Sequence, residues 1–501
     1  MSYQEGMPAA LTVLVCDKTM GSEVSLEYVL PDYEEEIKKL LKVRVRLLPP
    51  ASYVGGGDAS FSGTVCFDLL YTSPEGKLCA TQISGNYELS APILKDADID
   101  YSDGIFACCD IGPESTVSRV LAPRKVSLKC RLRAKVRAYG KRTLLERMTG
   151  DFSPEGIERL AGKASCAMFA VGESEFSVDG ETELPQGGER SVIWCGGEVH
   201  MTEVQCGEGE VLCRGELFVS ALVTGEDGGA ETVQMRIPFS ERIEGDGFIG
   251  GMGCHVWGAP SELSAEAADG KLAIRGSVRL CVTGQGNGEI PYTRDLYSSA
   301  RVTQNQYGKI SFPHAAVSRH GNFTQSLYEA ASDYGLPKDA EILDMWATAS
   351  VTDCLCDRGK WALVGETCMT LLMTSEGEYK CVDIPVPFRY EFEGECGTPE
   401  SFFAQVSMTG GRARIEGDRL AIECEMGVSV RVCTEMELTA LCEADFGEKV
   451  EEDDECVVCF PGKGDSLWEI AKRYHVPMAA LKARNGITDD EEMADYLVIK
   501  G

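Results

Sequence analysis

The sequence contains side chains able to act as nucleophiles, bases or metal ligands, but their spacing matches no catalytic motif. Cys456 and Cys459 form a Cys-x-x-Cys pair, which suits zinc binding or disulfide exchange, yet no second pair follows at zinc-finger spacing. No phosphate-binding or dinucleotide-binding glycine motif is present, and no feature selects one pair of carboxylates for glycoside hydrolysis. The histidines are scattered without a catalytic-triad context, at His200, His255, His314, His320 and His475. We therefore predict a protein that is not an enzyme and uses no cofactor or metal ion.

The C-terminal segment has a more specific pattern. Val457 to Phe460 is a short apolar run that predicts a strand, and Gly464 then permits a turn. Asp465 or Ser466 can cap the N-terminus of a helix, because their side-chain oxygens accept hydrogen bonds from its first free N–H groups. One buried helix face is indicated by residues that recur at helical spacing, namely Leu467, Ile470, Ala471 and Tyr474.

A second helix and a second strand complete this segment. Pro477 suits the first turn of the helix, which continues through Met478, Leu481 and Lys482. Asn485-Gly486 suits a left-handed helix end. The apolar run from Leu497 to Ile499 then predicts a strand that pairs with the first one.

This strand–helix–helix–strand order resembles a LysM module, a small fold that binds carbohydrates or partner proteins. In that family, glycans lie in a groove between the loop after the first strand and the loop after the second helix. The resemblance implies a groove formed here by Gly464, Asp465, Ser466, Leu467, Trp468, Asn485, Gly486 and Ile487. Where the family usually has Pro-Gly-Gln, before the last strand, this chain has Ala494-Asp495-Tyr496. The ligand of the groove, glycan or protein, therefore stays open, as does a purely structural role for Trp468 and Tyr474.

Composition limits the class of protein. A length of 501 residues predicts three or four domains, and a net charge of −32 argues against nonspecific binding to nucleic acid or anionic membrane surfaces. The 22 cysteines sit mostly singly within apolar runs, which predicts free thiols in a reducing compartment. The N-terminus lacks the pattern of a secretory leader, and no apolar stretch approaches the 18 residues of a transmembrane span.

The rest of the chain carries an internal repeat. Three Leu-Pro pairs open equivalent segments, at Leu30-Pro31, Leu184-Pro185 and Leu336-Pro337. Each is followed about 30 residues later by a glycine, at Gly63, Gly215 and Gly365. A third marker opens a long alternating run, at Lys125, Lys271 and Arg419. All markers keep a period between 146 and 154 residues, so we infer three copies of one structural unit.

The repeated units have the pattern of β structure. Apolar residues alternate with polar ones at Val126, Leu128, Cys130, Leu132, Ala134 and Val136, which predicts a strand with one buried face. We therefore predict a mainly β protein with three tandem β-sandwich-like repeats of about eight strands each, followed by a small α+β (βααβ) module. Helices are predicted at Asp32–Leu41, at Pro154–Leu160 and, with strand as an alternative, at Thr324–Asp333.

These patterns divide the chain into five segments. We place the β repeats at residues 1–150, 151–297 and 298–442, an acidic linker at 443–455, and the LysM module at 456–501. Six of the eight residues from Glu448 to Glu455 are acidic, which is typical of a solvated spacer.

Three β-rich units that begin with Leu-Pro, followed by a C-terminal LysM module, resemble the SipL proteins of clostridial spore formers and the related SpoVID proteins of bacilli. The repeated unit resembles the SPOCS domain of that group. The resemblance implies a spore coat morphogenetic scaffold in the mother-cell cytoplasm, at the forespore surface. Its implied partner is SpoIVA, the ATPase that polymerises into the basement layer of the coat.

Two hypotheses of different class follow. In the first, the chain is a non-enzymatic scaffold that docks a SpoIVA-like ATPase and other proteins through the LysM module and the β repeats. In the second, the LysM groove binds peptidoglycan or another N-acetylglucosamine (GlcNAc) polymer. Retention by peptidoglycan or by the coat ATPase would distinguish them.

Overall fold

The computed structural model describes residues 10–94, 99–100, 104–144, 147–150, 156–184, 190–225, 229–337, 339–357, 359–394, 401–450, 456–488 and 494–500. Strands dominate these residues, and the two short α-helices lie near the C-terminus, so the predicted mainly β fold with a final βααβ module is confirmed. Within the described ranges, no helix has the length and apolar character needed to cross a bilayer.

Unit 1 contains β1 (Ala10–Val29), β2 (Lys39–Leu47), β3 (Ala51–Gly55), β4 (Asp58–Thr72), β5 (Leu78–Pro92), β6 (Ile99–Asp100), β7 (Phe106–Ala122) and β8 (Lys125–Thr143). A short strand, β9 (Arg147–Gly150), follows it. Unit 2 contains β10 (Ile157–Glu183), β11 (Arg190–Cys206), β12 (Glu210–Gly225), β13 (Ala230–Glu244), β14 (Gly253–Ala268) and β15 (Lys271–Ser298).

Unit 3 contains β16 (Arg301–Ala330), a 3-10 helix (Ala331–Tyr334), β17 (Glu341–Asp357), β18 (Lys360–Ser375), β19 (Glu378–Glu393), β20 (Ser401–Glu416) and β21 (Arg419–Lys449). The C-terminal module contains β22 (Val457–Cys459), α1 (Leu467–Arg473), α2 (Met478–Asn485) and β23 (Leu497–Lys500).

All three units share one topology. In each unit, the last strand lies at the centre of one sheet, between the first strand and the next-to-last strand. The strand orders are β1-β8-β7, β10-β15-β14 and β16-β21-β20. The middle strands form a second antiparallel sheet, with β4, β12 and β18 at the centre. The two sheets of a unit pack their apolar faces together. Within the described ranges, units 2 and 3 have six strands each rather than the eight predicted, and unit 1 reaches eight through two short additional strands, β3 and β6.

The predicted alternation in β8 is confirmed. All six alternating residues from Val126 to Val136 are fully buried, whereas several charged residues between them, such as Lys129 and Arg131, are exposed. One face of this strand therefore faces the core of unit 1.

The repeated glycines have a packing reason. Each pairs across the strands with an aromatic residue, as Gly63 with Tyr87, Gly215 with Phe239, and Gly365 with Phe388. The aromatic ring lies over the glycine so closely that an added Cβ would come within 3 Å of ring atoms at all three positions. A side chain there would displace the ring, which explains why the glycine recurs with the unit.

The three units contact one another in a ring. Polar contacts join every pair of units: Arg44 with Glu198, Thr232 with Leu343, and Lys42 with Asp383. Equivalent leucines on the central strands β4, β12 and β18 are buried in one shared cluster, at Leu70, Leu222 and Leu372. Equivalent leucines of the three units therefore meet in one apolar cluster, and the charged residues Lys42, Arg44 and Asp344 lie beside it.

Two of the predicted helices are wrong, and the third is mostly strand. Between β1 and β2, backbone groups of the Asp32–Leu41 segment bond to distant strands: Ile37 donates to the carbonyl of Pro123 at 2.7 Å and Lys38 to that of Thr72 at 2.8 Å. These tertiary hydrogen bonds replace helical ones. From Ile157 onward, the segment predicted at Pro154–Leu160 belongs to β10, and Pro154 lies outside the described residues. Thr324 to Ala330 belongs to β16, so the strand alternative holds there.

The ends of the units differ from the sequence-based boundaries. Residues 443–449, assigned to the acidic linker, continue β21 because buried Ala444 and Phe446 pack against Leu296. β9, assigned to the first repeat, pairs in parallel with this end of β21. Residues 451–455 of the predicted linker lie outside the described part of the chain.

Candidate binding site on the C-terminal module

Local hydrogen bonds define the start of α1. The Ser466 hydroxyl accepts from the Glu469 N–H at 3.2 Å, and the Ser466 N–H donates to the Glu469 carboxylate at 3.0 Å. This reciprocal capping box fixes the end of the loop that leads from β22 into the helix. Of the two predicted caps, Ser466 therefore caps α1, while Asp465 accepts from the Gly462 N–H at 3.1 Å within the loop.

A second clamp fixes the loop after α2. The Asn485 amide donates to the carbonyls of Leu481 and Val498, at 2.8 and 2.9 Å, and its oxygen accepts from the Val498 N–H at 2.7 Å. Gly486 adopts the predicted left-handed conformation, with φ of 67°. Pro477 occupies the N-cap of α2 rather than its first turn. Asn485 therefore joins the end of α2 to β23 and positions the loop between them.

Both loops leave the same end of the two-stranded sheet. Cys459 pairs with Leu497, so Phe460 begins one loop beside Tyr496, which ends the other. Both aromatic side chains are exposed, at 76% and 57%. Exposed residues continue along both loops at Gly464, Ser466, Gly486 and Thr488. We refer to these six residues as the loop edge.

The predicted groove residues divide into three groups. Gly464, Ser466 and Gly486 lie on the loop edge, with Asp465 and Asn485 half-buried beside them. The side chains of Leu467 and Ile487 are buried in the core of the module and support the loops from beneath. Trp468 is also buried, but it contacts unit 2, so its ring is not presented to a ligand.

Trp468 is central to an interface between the module and β15. Its indole N–H donates to the Asp295 carboxylate at 2.8 Å, and its ring packs edge-on against Tyr297 with centroids 4.9 Å apart. The Tyr297 hydroxyl donates to the carbonyl of Val476 at 2.7 Å. His475 contacts the carbonyl of Ser298 at 3.0 Å. The module is thus docked through α1 and the turn after it.

Asp295 joins the module to units 2 and 3. Its carboxylate accepts from Lys472 at 2.7 Å, Tyr307 at 2.6 Å and Asn305 at 2.7 Å, in addition to Trp468. Burial alone would raise its pKa, but hydrogen bonds from Lys472, Trp468 and Tyr307 outweigh burial and lower the pKa to about 2. The carboxylate is therefore ionised at all ordinary pH values and holds Lys472 against the β-units.

The cysteines and histidines considered in the sequence analysis do not form a reactive or metal-binding cluster in the described part of the chain. Cys456 is exposed and Cys459 is buried, and both are free thiols. Among the described residues, no three histidine, cysteine or acidic side chains come together as metal ligands. The histidines are less scattered than the sequence indicates, because His200 and His255 each lie close enough to His320 to influence a neighbouring pKa.

These buried histidines predict a pH dependence. Burial, with a smaller effect of Arg431, lowers the pKa of His255 to about 3, and burial with the nearby His200 lowers that of His320 to about 4. In the unfolded chain these histidines bind protons below pH ~6.5, whereas in the folded chain they bind protons only near their lowered pKa values. Stability contributed by their neutral forms is therefore complete above that pH and is lost as pH falls toward the folded pKa values.

The expected loss between pH 7 and pH 5 is about 1–2 kcal/mol per histidine. Burial raises the pKa of Asp344 to about 6, which acts in the opposite direction, so the reference is the His255→Gln/His320→Gln variant. Urea unfolding at both pH values should show a larger acid-induced loss in the natural chain than in this variant. Equal losses in the two proteins would show that these histidines do not titrate as described.

The comparison with known families agrees with this local architecture. Residues 462–491 match the LysM domain. No curated protein gave a significant match to the chain. The matched segment runs from the loop before α1 into the loop after α2, so it contains Gly464, Ser466, Gly486 and Thr488 of the loop edge, and Phe460 and Tyr496 flank it. LysM is a binding domain, not a catalytic one, and its general ligands are peptidoglycan and other GlcNAc polymers.

Proposed function

We propose that this protein is a non-enzymatic binding protein whose LysM domain captures a GlcNAc polymer at the loop edge. The observation that carries the proposal is the orientation of the module. The side of α1 that carries Trp468 and Lys472 contacts β15, while Gly464, Gly486 and Thr488 remain exposed. Unit 2 holds the module through β15 and leaves this edge accessible.

The chemistry of the loop edge suits an acetylated sugar polymer. Glycines expose backbone N–H and C=O groups, which can bond to acetamide and hydroxyl groups without obstruction from side chains. Phe460 and Tyr496 add exposed rings next to these groups. Aromatic rings can cover the apolar face of a sugar, and the Tyr496 hydroxyl adds a polar contact.

A bulky substitution on this edge tests the proposal. In Thr488→Trp, the indole should obstruct the path between the loops and raise the Kd for chitohexaose at least ~10-fold, which corresponds to about 1.4 kcal/mol. Ala479→Trp is the matched control, because Ala479 is exposed at the other end of α2. Isothermal titration of the full chain measures both variants, and retention on purified peptidoglycan provides an independent readout. Equal binding by the two variants, or none by the natural chain, would refute this site.

We propose, as a second candidate, a spore coat scaffold that acts in the mother-cell cytoplasm at the forespore surface and docks a SpoIVA-like ATPase. The resemblance of the three repeated units to SPOCS domains supports this candidate. A further support is an exposed apolar patch at the end of the LysM sheet, formed by Val458, Phe460 and Tyr496, which suits a protein surface.

The two candidates differ in one assay. The full chain and its Phe460→Asp variant would be immobilised and exposed to the purified ATPase. Capture by the natural chain that decreases at least tenfold in the variant supports protein docking. If the natural chain does not capture the ATPase but does bind chitohexaose, the ATPase is excluded as a partner and the glycan-binding function stands.

A further inference from the structure

Equivalent strands of the three units converge at a second level of the ring. Arg137, Thr283 and Arg431 are each the thirteenth residue of their strand, β8, β15 and β21. The Arg431 guanidinium donates to the carbonyl of Thr283 at 3.4 Å, which places units 2 and 3 in contact here. Both arginines also influence the pKa of Cys108 in unit 1. The repeat thus places the guanidinium groups of Arg137, from unit 1, and Arg431, from unit 3, near the same cysteine.

Arg431 is buried without a carboxylate partner among the described residues. Its exposed fraction is 1%, and its Nε atom is buried without a hydrogen-bond partner in the described part of the structure. The guanidinium carbon lies 5.0 Å from the ring centre of Phe403, and the Thr283 carbonyl accepts one long hydrogen bond. These contacts stabilise a cation only partly.

Arg137 is better compensated but faces the same space. Its Nε donates to the Asp17 carboxylate at 3.3 Å. Asp110 also lies near Arg137, because burial raises the pKa of the Asp110 carboxyl while Arg137 and Lys135 oppose that shift. Asp17 and Asp110 therefore act on Arg137, whereas no acidic side chain within the described ranges forms an ion pair with Arg431.

Both arginines line a cavity of about 990 Å³ to which all three units contribute. Aromatic side chains, including Trp257, Phe402 and Phe403, line it together with Cys108. A cavity of this size can hold a small molecule. Its lining is mixed, because the basic residues Arg133 and Lys135 and the acidic residues Asp110, Glu114, Asp353 and Glu366 lie on its walls in addition to the two arginines. A cation left unpaired in such surroundings destabilises the protein unless a bound anion compensates it.

We propose that this cavity binds a small amphipathic anion whose carboxylate or phosphate group lies between Arg431 and Arg137 and whose apolar part contacts the aromatic lining. This site is separate from the LysM domain, so it stands independently of the glycan-binding proposal. A guanidinium recognises both oxyanions through paired N–H donors, which is why the two headgroups share one site.

Thermal unfolding of the full chain tests this site with octanoate, octyl phosphate and inorganic phosphate, and with octanol as the uncharged control. We expect a rise in Tm of several degrees with at least one octyl anion, a smaller rise with phosphate, and none with octanol. A rise with octanoate alone identifies a carboxylate ligand, and a larger rise with octyl phosphate identifies a phosphate ester. The proposal fails if neither octyl anion raises Tm more than octanol does.

Arg431→Met should abolish the rise, and the matched control Arg319→Met, at an exposed arginine of β16, should retain it. Methionine fills a similar volume without charge, so we expect the ligand-free Arg431→Met protein to unfold at or above the Tm of the natural chain. A variant that unfolds at a clearly lower Tm, or one that keeps the full response to the anions, would overturn the proposal.

Discussion

Leu372→Asp should lower the free energy of unfolding by about 5 kcal/mol, because it places a carboxylate in the apolar cluster shared by all three units. Leu372 is fully buried and packs in this cluster with Leu70, Leu222 and Trp346. The milder Leu372→Ala variant removes only buried methyl groups and should cost about 3 kcal/mol. Denaturant unfolding followed by circular dichroism measures both changes.

The control for this prediction is Val29→Asp, at an exposed apolar residue at the end of β1. Its effect should stay within ~0.5 kcal/mol. If Leu372→Ala destabilised the protein no more than Val29→Asp does, the leucine cluster would not hold the ring together, and the units would have to be joined elsewhere.

Trp468→Ala should release the LysM module from the β-units. The substitution removes the ring packed on Tyr297 and one hydrogen bond to Asp295, with an expected cost of about 3–4 kcal/mol. Hydrogen exchange of the full chain should become faster in peptides covering residues 295–307 and 467–476. Asp295→Asn leaves the core of the module intact and should produce the same pattern to a smaller extent, since it weakens the contact with Lys472.

Phe460→Ala provides the matched control, because Phe460 is an exposed aromatic residue of the same module, away from β15. It should leave exchange at residues 295–307 unchanged. Unchanged exchange at this segment in both Trp468→Ala and Asp295→Asn would contradict the docked arrangement.

Local features of the structure were predictable from the sequence because they depend on neighbouring residues. The alternation in β8 reflects burial of every second side chain, and Ser466, one of the two predicted caps of α1, bonds to a residue three positions away. The period of the repeat also predicted that the units share one structure. Within the LysM module, the order of strands and helices followed from short-range patterns.

Other features depend on contacts between distant residues and have no local signal. The charge order from Asp32 to Leu41 is typical of a helix, yet Ile37 and Lys38 bond to strands elsewhere in unit 1. Asp295 and Lys472 are 177 residues apart, so the sequence could not indicate that Trp468 serves the interface instead of the groove. Arg431 likewise has no distinctive sequence context, and its burial without an acidic partner among the described residues depends on the contact between units 2 and 3.

The most direct test of the proposed function is hydrogen exchange of the full chain with and without chitohexaose. We predict slower exchange in the two segments of the loop edge, residues 460–466 and 486–488, and unchanged exchange in α1 at 467–473. Protection confined to the β-units or to α1, or no protection at saturating chitohexaose, would contradict glycan capture by the exposed edge of a docked LysM domain.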